Sequence, residues 1–139
     1  MKNFFGTTPF AVYGRGMGWR FMLHQAAGGP GQCFLDIVRA VQPDLAIIDG
    51  SICCQGNGPH VMPGYWGETI DVSDHIGDWF LLASTDLAAA DATAARIIGL
   101  DVGQVPYLVQ AWEQGLGQID LDRIVLEGTS LDELRVDFK

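Results

Sequence analysis

Two uninterrupted apolar runs, Leu45-Ala46-Ile47-Ile48 and Trp79-Phe80-Leu81-Leu82-Ala83, limit how this chain can fold. Each is too short for an ordinary helix and is bounded by polar or turn-forming residues. Such a run reads as a strand covered on both faces. Elsewhere the apolar period changes. Phe34, Ile37, Val38 and Val41 recur at helical spacing within Cys33 to Val41, and Gln42-Pro43-Asp44 stops that helix before the first run. After the second run, Ser84-Thr85-Asp86 offers N-cap residues to a helix that reaches Ile98 and ends at Gly99. Val105 to Gln114 reads as another helix, begun beside Pro106 and stopped by Gly115-Leu116-Gly117. Arg123 to Glu127 and Leu134 to Phe138 read as short strands on either side of a Gly-Thr-Ser turn. Helices alternating with buried strands predict an α/β fold, a layered sheet with flanking helices.

At 139 residues, with no internal repeat and no linker, the chain reads as a single domain over 1–139. Residues 1 to 33, rich in Gly and aromatics, read as loop with short helical pieces. The connection from 56 to 78 is longer than a compact domain usually allows a structureless loop, so it is either a functional lid or holds structure its pattern does not disclose.

Charge narrows the function. Eight Lys and Arg against seventeen Asp and Glu give a net charge of −9, which speaks against a nucleic-acid surface, since phosphate binding needs clustered cations. No apolar stretch approaches the roughly 18 residues of a membrane span, and the N-terminus lacks the pattern of a secretory signal, so a cytoplasmic location is expected, with no membrane partner. Three cysteines, Cys33, Cys53 and Cys54, form neither a disulfide framework nor a spaced metal set. No iron–sulfur cluster is therefore ligated by this chain alone. Cys53 and Cys54 read as small buried hydrophobes.

In open α/β sheets ligands bind beyond the carboxyl ends of the strands. The first run delivers Asp49 and then Gly56-Asn57-Gly58-Pro59, where glycine permits positive φ and a close backbone approach. His60 beside this loop is a candidate proton carrier. The second run delivers Ser84, Thr85 and Asp86. In the helix that follows, Asp91 falls on the stripe Leu87, Ala90, Ala94, Ile98, with Ala89, Thr93 and Arg96 expected on the solvent side. A carboxylate on that stripe would lean back toward Asp49 and Asp86. Three convergent carboxylates, Asp49, Asp86 and Asp91, would suit a divalent cation or a proton-transfer site. The competing assignment makes Asp86 a helix cap and has Asp91 tie down neighbouring backbone N–H groups.

These residues also carry a family resemblance. Asn3-Phe4-Phe5-Gly6, the segment Pro43 to Gly50, Gly56-Asn57-Gly58-Pro59, Leu82 to Asp86, Ala90-Asp91-Ala92, Gly99, Pro106-Tyr107-Leu108 and Gly115-Leu116-Gly117 resemble the DUF362 family in order and spacing, over roughly residues 3 to 128. The family has no settled biochemical function. Many of its members carry a ferredoxin-type iron–sulfur segment, so the resemblance implies a link to redox chemistry or electron transfer. It matches Asp49, Gly56, Asn57, Gly58, Pro59, Asp86 and Asp91. This chain departs from the family in lacking cluster cysteines and in resembling only the C-terminal half of the usual domain.

Two functions follow as expectations. One is a ligand-binding or catalytic domain of unknown reaction, with Asp49, Gly56, Asn57, Gly58, His60, Ser84 and Thr85 around the ligand and Asp49, Asp86 and Asp91 on a divalent cation. The other is a non-catalytic assembly or electron-transfer accessory module pairing with an iron–sulfur partner. A half-domain would leave a strand edge and an apolar face bare, so a homo-oligomer or a partner chain completing the sheet is expected.

Overall fold

The structure, a computed structural model, describes residues 1–7, 29–56 and 67–138. Asn57, Gly58, Pro59 and His60 lie outside the described residues. Helix α1, Gly29–Val41, begins four residues before the expected Cys33. Its first turn tolerates Pro30, whose fixed φ suits the start of a helix. Gly31 lets the helix close on its neighbour, since a Cβ there would stand 3.2 Å from the Tyr107 Cβ. Strand β1, Ala46–Gly50, is followed by β2, Ile52–Gly56, β3, Gly67–Asp71, the short helix α2, Ser73–Ile76, and β4, Phe80–Ser84. Helices α3, Leu87–Ile97, α4, Pro106–Glu113, and α5, Leu131–Leu134, complete the order, with 3-10 turns at Lys2–Thr7, Val102–Gln104 and Leu121–Arg123.

The fold is mixed α/β, and among the described residues both sheets are antiparallel pairs. β1 pairs with β4, Ala46 opposite Ser84 and Gly50 opposite Phe80. β2 pairs with β3, Ile52 opposite Asp71 and Gly56 opposite Gly67. The connection from 56 to 78 thus holds a strand and a short helix, and the adjacent cysteines lie on β2.

The core lies between α1, α3 and α4. Phe34, Leu35 and Val38 of α1 pack with Leu87, Ala88 and Ala111, and Ala92, Ala95 and Leu108 form a second cluster beside them. The Phe34 ring meets Tyr107 edge-on, with centroids 5.0 Å apart. Small side chains explain the behaviour of α3. Its alanines let neighbours approach on nearly every side, so Ala89 and Thr93, expected to face solvent, are buried, and Arg96 stays exposed. Each fully buried leucine in this layer contributes about 1.5–3 kcal/mol.

The two C-terminal segments expected as strands are not strands. Residues 124 to 127 lie along the surface with Val125 and Leu126 exposed, and Leu131–Leu134 is a helical turn. Beyond it the backbone latches onto the end of α3 rather than onto a strand: Val136 N–H donates to the Ile97 carbonyl (2.7 Å) and Phe138 N–H to that of Ile98 (3.2 Å). The sequences have strand-like composition, but a ladder needs an edge to pair with. No helix of the described residues is long and apolar enough to cross a membrane.

Candidate functional site

The antiparallel register decides what each sheet residue can do. Successive strand side chains alternate between faces, and directly paired residues share one. Leu45, Ile47 and Asp49 therefore stand on the same face as Trp79, Leu81 and Ala83. That face is bare: Leu81 is 75% exposed, Ile47 64% and Trp79 57%. The opposite face, with Ala46, Ile48, Gly50, Phe80 and Leu82, turns inward, and Gly50 is buried there under the Phe80 ring. The two runs read as strands covered on both faces are thus covered on one. Their second face has no layer over it among the described residues.

At one end this face dips into a hollow of about 640 Å³ lined by Asp49, Ser51, Ile52, Asp78, Trp79 and Leu81. The Trp79 indole N–H donates to Asp71 Oδ1 (2.9 Å), which also accepts from the Ser73 amide (3.0 Å) and hydroxyl (2.7 Å). These donors, the indole foremost, hold the Asp71 carboxyl below its ordinary pKa. Burial, and secondarily the Asp49 charge, pushes the Cys53 thiol up. Cys53 is half-buried and Cys54 exposed, not the buried pair expected, because the hairpin has only part of each face covered.

The three aspartates expected to converge have separate partners. Antiparallel pairing sends the ends of β1 and β4 in opposite directions: Asp49 lies opposite Leu81, three positions from Ser84, about 10 Å along the strand. Asp49 accepts from the Ser51 amide (2.9 Å), as a turn residue does. Asp86 caps α3 by accepting from the Ala89 amide (3.0 Å) and reaches across to the Gln118 amide (2.8 Å). The Ser84 hydroxyl accepts from the Asp86 amide (3.0 Å). Thr85 is exposed beside Arg39, Gln42 and Asp86, around a separate hollow of about 300 Å³. Asp91, half-buried, accepts from the Met1 amino group (2.9 Å) and the Tyr107 hydroxyl (3.1 Å). Burial first, and then Asp91, push the Tyr107 hydroxyl well above its usual range. Gly56 takes the positive φ expected of it, +83°.

Among the described residues no group of three or more His, Cys, Asp or Glu is placed to hold a metal ion. Cys33 is on α1, while Cys53 and Cys54 are neighbours on β2 and point to opposite faces. Sequence reasoning passed over Trp79, Leu81 and Asp78 as a site because a continuous apolar run does not disclose which layer covers it.

A thylakoid-associated protein of Synechocystis sp. is 30% identical to this chain over 116 residues, covering 84% of the chain and 32% of the relative. The chain thus spans about a third of that relative's length. No solved structure matches the chain at a significant level. The model of the DUF362 family, a domain of unknown function, matches residues 1–96, and this chain belongs to that family.

Proposed function

We propose that this chain is an assembly module, whose outer β1–β4 face packs against further polypeptide that covers it as a second layer. One observation carries this reading: on both strands exposure alternates with the pleat, the exposed strand positions being Ile47, Asp49, Leu81 and Ala83, and the exposed large apolar side chains Leu45 and Trp79 flank them. Large apolar side chains grouped on one exposed face mark a contact surface. The thylakoid-associated relative supports the choice of occupant, since about two thirds of its length lies outside the matched region. The carboxylate reading has weaker support, because antiparallel pairing puts Asp49 opposite Leu81, three positions along the strand from Ser84 and away from Asp86.

The test is co-expression of the chain with the unmatched portion of that relative, with the mass read by light scattering. An equimolar complex that Leu81→Asp prevents, while the isolated variant melts like wild type, is the expected result. Leu81 is exposed, so its replacement costs the isolated fold within about 0.5 kcal/mol. Absence of any complex overturns the reading. A dimer of the chain alone, lost in the same variant, would make the occupant a second copy.

A further inference from the structure

We infer that the polypeptide covering the outer face of β1 and β4 brings an arginine to its Asp49 end; this rests on the docking reading above. Asp49 lies directly opposite Leu81, so a surface that touches Leu81 also covers Asp49. Asp78 lines the same hollow. Each carboxylate has a local amide donor, Ser51 N–H for Asp49 (2.9 Å) and Trp79 N–H for Asp78 (2.8 Å). One amide leaves most of a carboxylate's acceptor capacity to water. Covering the face strips that water away, and a desolvated carboxylate is unfavourable unless a cation goes with it.

This chain supplies no such cation from the described lining of the hollow, which contains no Lys, Arg or His. A second copy would present the same outward set, Leu45, Ile47, Asp49, Trp79, Leu81 and Ala83, which is acidic where it is charged. Neither the described lining of the hollow nor the same face of a second copy offers the cation, so a different surface is the one we infer to bring it. Trp79 selects its type. The indole N–H is engaged by Asp71 while the residue remains 57% exposed, so an aromatic surface lies beside two carboxylates. A guanidinium can stack on an indole and donate in parallel to a carboxylate, whereas an ammonium acts as a point charge.

The experiment titrates the ¹⁵N-labelled full chain with an acetylated, amidated peptide of four Leu-Arg repeats, and separately with Leu-Lys and Leu-Glu repeats of equal length. The Leu-Arg peptide should bind, shifting amides of residues 47–52 and 78–82. Asp49→Asn with Asp78→Asn should weaken binding about tenfold, whereas Asp120→Asn with Asp122→Asn, which removes the same charge elsewhere, should not. Equal weakening by both pairs reduces the effect to net charge and overturns the inference, as does equal binding of the Leu-Glu peptide. Equal binding of the Leu-Lys peptide overturns the choice of arginine. If Leu81→Ser weakens binding and the Asp49/Asp78 pair does not, the arginine falls and the docking face stands. If Leu81→Ser changes nothing, the docking reading falls with it.

Discussion

Asp91 was expected on a helical stripe pointing into the molecule, and it is half-buried there, but its partners are hydrogen-bond donors rather than other carboxylates. Its hydroxyl partner, Tyr107, is the group whose titration the fold alters. The Tyr107 pKa is raised in the folded protein, above an unfolded value of about 10. The unfolded chain therefore loses the Tyr107 proton first as pH rises, and the folded state loses stability above about pH 10 while keeping the full contribution below it. Tyr107→Phe should cost about 1 kcal/mol at neutral pH, the value of the hydrogen bond, and should flatten the alkaline limb of a melting-temperature profile. An alkaline limb as steep in Tyr107→Phe as in wild type would show that other groups cause it.

At the scale of elements, Asp86 joins α3 to the loop after α4. Its carboxylate caps Ala89 and also accepts from Gln118. That bridge requires Gly117, which has φ +140° and whose Cα lies so close that a Cβ would overlap the Asp86 carboxylate and stand 2.8 Å from the Ala88 Cβ. The glycine of the Gly115-Leu116-Gly117 motif thus answers to the aspartate of Ser84-Thr85-Asp86, although about thirty residues separate them in sequence. Gly117→Ala should destabilise the fold by about 1–3 kcal/mol, through backbone strain and overpacking, as measured by denaturant unfolding. A change under about 0.5 kcal/mol would mean that the loop moves aside without cost. The sheet elements follow a different logic. Both apolar runs are strands within a residue or two of expectation, yet their pairing is antiparallel, and this separates Asp49 from Ser84, Thr85 and Asp86.

At the scale of the molecule, the core among the described residues is one-sided. Buried apolar residues concentrate in α1, α3 and α4, whereas β2 and β3 contribute no fully buried side chain. Opening free energy follows buried contact, so native-state hydrogen exchange should be slowest in α3 and α4 and fast across Ile52–Gly56 and Gly67–Asp71. Uniform protection would contradict this. Periodicity and punctuation in the sequence determined the three main helices, the two apolar strands, the cap at Asp86, the stop at Gly99 and the family, because these depend on residues a few positions apart. Only the tertiary structure decided strand direction, the latching of 135 to 138 onto α3, the separate partners of the three aspartates and the bare face with Trp79 and Leu81. Direction, pairing and cover depend on residues far apart in sequence, and an apolar run has the same composition whether one layer covers it or two.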